Sequence, residues 1–87
     1  MPRTLPKDVL LEIPGVGKSI AKDLHALDIH KVEDLRRQDP EQLYENLQRQ
    51  QGAPIDRCIL YVFRCAVYYA SHTRHDVEKL KWWNWKD

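Results

Sequence analysis

The residues best suited to chemistry lie in one stretch, Ile13-Pro14-Gly15-Val16-Gly17-Lys18-Ser19-Ile20-Ala21-Lys22-Asp23-Leu24. Two glycines separated by one apolar residue, and entered through a proline, describe a tight turn whose backbone angles suit residues without a Cβ. Beyond the turn, Ile20, Ala21, Leu24 and Leu27 recur at helical spacing, with Lys18, Lys22, Asp23 and Asp28 on other faces. A helix that starts just after Gly17 leaves the amides of its first turn unpaired and pointing outward, and such a start attracts a phosphate. The glycines let the backbone approach the anion, and Lys18 and Lys22 add screened positive charge beside it. Nothing in this arrangement reads a base edge, so the binding it implies follows backbone shape and not sequence.

A second set, Arg57, Tyr61, Arg64 and Tyr68, follows at spacings of four, three and four and stacks along one face of a helix. Such a stripe either contacts phosphates and stacks bases or forms the solvent edge of a buried helix, with arginines lying along half-covered tyrosines. A zinc reading of Cys58, Cys65, His72 and His75 has poor support: there is no Cys-x-x-Cys, and the cysteines lie seven residues apart. In a helix that spacing is about 10 Å, too far for a disulfide, so both cysteines are expected to be reduced core residues. No nucleophile, base and orienter can be read together. The Gly15-Val16-Gly17-Lys18-Ser19 run also lacks the spacing of an NTPase phosphate loop, so no enzyme is expected.

These groups need a scaffold, and the sequence predicts a helical one. A first helix is expected from Pro6 through the apolar run Val9, Leu10, Leu11 and Ile13, ending where Pro14 disfavours the α conformation of the residue before it. A short helix over 32–36 precedes Asp39-Pro40-Glu41, which supplies an N-cap, a first-position proline and an acid for a helix over 40 to about 49 that buries Leu43, Tyr44 and Leu47. Gly52 closes it. A long helix over about 55–72, opened at Pro54 or Asp56, is apolar nearly all round through Ile59, Leu60, Val62, Phe63, Ala66, Val67 and Ala70 and should be central. Asp76 caps a last short helix, and Trp82, Trp83 and Trp85 are costly enough in water that one or two should fold back onto the long helix.

Eighty-seven residues, 43% hydrophobic and 31% charged, bound the chain to one soluble globular domain, 1–87, with a modest core. The absence of an apolar leader or spanning stretch points to the cytoplasm and away from membranes. A net charge of +1 is weak for gripping DNA alone, but its distribution is uneven. Residues 1–31 carry five Lys/Arg against four acids, 32–56 three against six, and 57–87 six against three. Nucleic acid should meet the first and last thirds and avoid the acidic middle.

The first stretch resembles the helix-hairpin-helix motif of DNA repair and replication proteins: an apolar-Pro-Gly-apolar-Gly hairpin, Ala three residues later, then a large aliphatic. Every position is filled. Residues 32–49 resemble the degenerate half of a tandem helix-hairpin-helix domain, which mainly completes the core. The hairpin, Asp39-Pro40-Glu41-Gln42-Leu43-Tyr44, Pro54-Ile55-Asp56-Arg57-Cys58, residues 61–69 and Leu80-Lys81-Trp82-Trp83-Asn84-Trp85-Lys86 together resemble the pathogenicity-locus family of small bacterial helix-hairpin-helix proteins. The resemblance implies an all-α tandem-hairpin fold, with five or six short helices around a long apolar C-terminal helix, and a DNA-related role in repair or maintenance. It implies a DNA-binding set of Gly15, Val16, Gly17, Lys18, Ser19, Ile20 and Lys22, with the amides of Gly15, Gly17, Ser19 and Ile20 as donors to duplex or branched DNA. It also places a monovalent cation, K+ or Na+, on the carbonyls of Leu11, Ile13 and Val16, where a water is the alternative. The competing class is a protein-interaction module using the Arg57/Tyr61/Arg64/Tyr68 face or the tryptophan tail.

Overall fold

Helix starts and stops in this chain are written largely by single residues. Asp39 accepts the Glu41 amide at 2.9 Å, and Pro40 spares an amide at the first position, so α2 spans Pro40–Gln51. Asp56 accepts the Cys58 amide at 2.9 Å and opens α3, Arg57–Ser71. The first α-helix, α1, spans Lys18–Ala26 and begins at Gly17, which contributes no side chain to its own cap. The end of α1 is a Schellman turn: Ile29 donates to the Leu24 carbonyl at 2.9 Å and Asp28 to that of His25 at 3.0 Å, with Asp28 at φ 70°. Gly52, at φ 68°, ends α2 in the left-handed conformation too.

The structure, a computed structural model, describes residues 9–86. Besides the three α-helices these contain four single-turn 3-10 helices, Val9–Glu12, Val32–Leu35, Val77–Leu80 and Trp82–Trp85, and no strand. The architecture is all-α, but the five or six short helices expected from the sequence are not what forms. Four of the short apolar segments each close a single turn, too few bonds to offset the entropy of nucleating an α-helix. The long helix is also not C-terminal, because two 3-10 turns follow it, and it is not apolar all round, since Arg57 and Ser71 are exposed and Arg64 is half-buried. The expected start of a first helix at Pro6 lies outside the described residues.

Two units share one plan. In each, a 3-10 turn leads to a residue with positive φ, and an α-helix begins three residues later. In the first unit these positions are Val9–Glu12, Gly15 at φ 88° and α1. In the second they are Val32–Leu35, Arg37 at φ 64° and α2.

Both units pack on α3. Leu60, Val62, Phe63, Ala66 and Ala70 of α3 share one buried apolar cluster with Leu43, Tyr44 and Leu47 of α2, Ala21 and Leu24 of α1, Leu10 and Leu35 of the 3-10 turns, and Ile13. No polar side chain among the described residues is buried. Each large apolar group in this cluster contributes about 1.5–3 kcal/mol on burial. Polar ties at the rim fix the layout: Tyr69 Oη donates to Glu12 at 2.8 Å, Arg36 Nε to the Ala70 carbonyl at 3.0 Å, and Gln50 Nε2 to the Ala26 carbonyl at 2.9 Å. The Tyr44 hydroxyl donates to the Ile55 carbonyl. No described helix is long and apolar enough to cross a membrane.

Candidate nucleic-acid interface

The turn between the first 3-10 helix and α1 is held from below by apolar burial and from within by two backbone bonds. Ile13 and Val16 are 1% and 6% exposed, the Ile13 amide donates to Leu10 at 3.2 Å, and the Val16 amide donates to Ile13 at 3.0 Å. Between them Gly15 takes φ 88°, a conformation costly for any residue with a Cβ. A Cβ there would also lie 3.0 Å from Cδ1 of Trp82, so the tryptophan side chain packs close against this glycine.

Gly17 corrects the expectation drawn from the sequence. Its φ of −98° and ψ of −174° are open to any residue, and a Cβ would meet nothing within 4 Å. Backbone strain does not require a glycine there. What the glycine provides is a bare N-cap. A Ser, Asp or Asn would place its own oxygen over the first amides of α1, whereas Gly17 leaves those of Lys18, Ser19 and Ile20 without a capping side chain. Intrahelical bonding begins with the Ala21 amide on the Gly17 carbonyl at 2.9 Å. Gly15, Gly17, Lys18, Ser19 and Lys22 are exposed, Ile20 is half-buried, and Ala21 is buried beneath. The nearest acid on the helix, Asp23, is half-buried; burial pushes its carboxyl up and Lys22 pulls it back down.

Of the Leu11, Ile13 and Val16 carbonyls expected to hold a monovalent cation, that of Ile13 already accepts the Val16 amide, and the neighbouring carboxylate, Glu12, is engaged by Tyr69.

The Arg57/Tyr61/Arg64/Tyr68 stripe lies on α3, and the chain itself occupies much of it. Arg64, its side chain 18% exposed, donates to the Trp85 carbonyl at 2.7 Å and to Glu41 at 3.0 Å, with its guanidinium 5.6 Å from the centre of the Tyr61 ring. Tyr68 accepts the Asp76 amide at 2.8 Å and is flanked by Trp85, His72, His75 and Lys79. The stripe is therefore the seat of the tail, and the hairpin and stripe are joined through it: Trp82 rests on Gly15 and Trp85 on Tyr68. That joint was not legible in the sequence, since no spacing rule links residue 15 to residue 82. Cys65 is fully buried beside the Lys79 and Pro14 carbonyls, and burial pushes its thiol up to about 11, so it stays protonated. His75 stacks on Tyr69 at 4.6 Å with a ring nitrogen 2.8 Å from the Tyr69 carbonyl, and a His72 nitrogen lies 3.0 Å from the Tyr68 carbonyl.

No curated protein and no solved structure matches this chain. The Pathogenicity locus family model matches residues 6–87. With all but the first few residues inside that match, the chain belongs to the Pathogenicity locus family.

Proposed function

We propose that the protein binds DNA without sequence preference, using the first turn–helix unit as a helix-hairpin-helix. The observation that carries this reading is the bare cap at Gly17: no side chain caps the amides of Lys18, Ser19 and Ile20, and Lys18 and Lys22 are exposed beside them. An α-helix in water gains from a capping side chain, and the other two α-helices here each have one, Asp39 and Asp56. Leaving α1 without one makes sense if a phosphate oxygen takes the place of the carboxylate. Such contacts position a duplex or branched backbone and carry no base information, which suits an accessory role in DNA repair or maintenance.

Fluorescence anisotropy on a short labelled duplex at a series of salt concentrations tests the reading. Affinity should fall steeply with salt, and Lys18→Gln or Lys22→Gln should each reduce the slope by about one. The same titration in potassium and in a bulky organic cation at equal ionic strength reads out the carbonyl-bound ion, whose loss would weaken binding modestly. Absence of duplex binding at low salt would overturn the proposal and leave the protein-interaction reading, which the near-neutral net charge of +1 favours.

A further inference from the structure

We propose that the Trp83 indole is a stacking surface for one unpaired nucleobase, next to the phosphate held at the Gly17 helix start. The inference rests on the DNA reading above and narrows its target to DNA with a single-stranded end or junction.

Trp83 is 50% exposed; the other large apolar groups exposed among the described residues are Val9 and Val77. Its neighbours in sequence are all tied down. Trp82 lies against Gly15, Asn84 Nδ2 donates to the Glu78 carbonyl at 2.8 Å, and Trp85 Nε1 donates to the Lys79 carbonyl at 2.8 Å while its own carbonyl accepts Arg64 at 2.7 Å. The backbone at residue 83 is thus fixed on both sides while half of the residue, beyond its contact with Trp82, is open to water. A large aromatic pre-ordered at an exposed position loses little entropy when something stacks on it.

Position and size select the occupant. Trp83 stands edge-on to Trp82 with ring centres 5.8 Å apart, and Trp82 touches Gly15, so the exposed ring is two contacts from the hairpin. A Cβ at Gly17 would meet nothing within 4 Å, so no tail atom crowds the cap position itself. Near Trp83 in the chain, Lys81 is paired with Glu78 at 3.0 Å and Lys86 is exposed, while Lys18 and Lys22 are exposed beside the amides of α1. One exposed indole matches the face of one base. It falls far short of the roughly 800 Å² per partner of a stable protein interface.

The test compares a short blunt duplex with the same duplex carrying a short single-stranded thymine overhang, on the intact chain, Trp83→Ala, Trp83→Phe and Gly17→Asp. Far-UV circular dichroism and thermal melting confirm that each variant is folded. The overhang should raise affinity about tenfold, within the range measured for base–aromatic stacking, and quench tryptophan emission. Trp83→Ala should bring the two affinities together, and Trp83→Phe should keep most of the preference. An overhang preference that survives Trp83→Ala, or no preference in the intact chain, would overturn the inference. Gly17→Asp reports on the hairpin separately: if it leaves blunt-duplex affinity intact while Trp83→Ala removes the overhang preference, the hairpin reading fails and the stacking surface stands. No binding to either DNA would overturn both.

Discussion

The two turn–helix units are built to one plan and finished in opposite ways. In the second, Asp39 caps the helix on the Glu41 amide, Pro40 removes another donor, and Asp34 accepts the His30 and Lys31 amides at 3.0 and 3.3 Å. In the first, the cap position is Gly17 and no side chain accepts the first amides of the helix. The second unit also accepts a non-glycine, Arg37, at the positive-φ position where the first has Gly15. One unit therefore caps its own helix with a side chain, while the other leaves its first-turn amides without one. The difference teaches that two copies of one backbone plan can be set apart by a single side-chain oxygen, and a phosphate oxygen is what we propose takes its place.

The sharpest way to break that contrast is to finish the first unit like the second. Gly17→Asp should cost more than about tenfold in duplex affinity, because its carboxylate occupies and repels the phosphate position. It should at the same time raise stability by about 0.3–1 kcal/mol, as an acid at a helix start does. Anisotropy and a urea melt on one sample read both signs. The reverse change, Asp39→Gly, should create no DNA site, since Pro40 has no amide to offer.

Gly15→Ala should be the most damaging of the turn substitutions. Positive φ costs a Cβ-bearing residue about 1–2 kcal/mol, and contact with Trp82 adds to it, so the melting temperature should drop by roughly 4–8 °C per kcal/mol. Removing the second unit's cap with Asp39→Ala should cost about 1 kcal/mol. Arg37→Gly should go the other way by about 0.5 kcal/mol, relief of the left-handed strain being partly offset by glycine's larger unfolded-state entropy. If Arg37→Gly destabilises instead, the match between the two turns is only formal.

How much of this was legible depended on the range of the interaction that decided it. The cap at Asp39, the stop at Gly52 and the apolar core positions of α3 all follow from residues within a few positions, while of the two starts the sequence offers for α3, Pro54 and Asp56, the structure uses Asp56. The first 3-10 turn was expected as part of a longer helix, because apolar periodicity over Val9, Leu10 and Leu11 does not distinguish one turn from two. The Gly15-Val16-Gly17 pair predicts unusual backbone angles at both glycines, yet of the two only Gly15 has positive φ. The seating of Trp82 on Gly15 and of Trp85 on Tyr68 joins residues that are distant in the chain, and no periodicity reports such contacts. Of the two cysteines expected in the core, Cys65 is fully buried, whereas Cys58, in the first turn of α3, is only half-buried.

The smallest effect expected from the contrast is an acid sensitivity that belongs to the second unit. Hydrogen bonds from the His30 and Lys31 amides, of which His30's is the larger influence, hold the Asp34 carboxyl below the usual carboxylate range. A carboxyl whose folded value is depressed stabilises the protein above its unfolded value, near 3.9, and that contribution is lost as pH falls through the folded value. The window therefore lies in acid, below about pH 4, and nothing should change between pH 5 and 8 from this source. Amide resonances of His30 and Lys31, followed by NMR from neutral pH into acid, should shift with a midpoint below the ordinary aspartate value, and Asp34→Asn should abolish that shift. Lys18, Ser19 and Ile20 have no capping carboxylate at Gly17, so their amides should stay flat over the same range. A matching acid shift at those three amides would mean that a carboxylate already sits at the helix start, and the opening left for a phosphate would not exist.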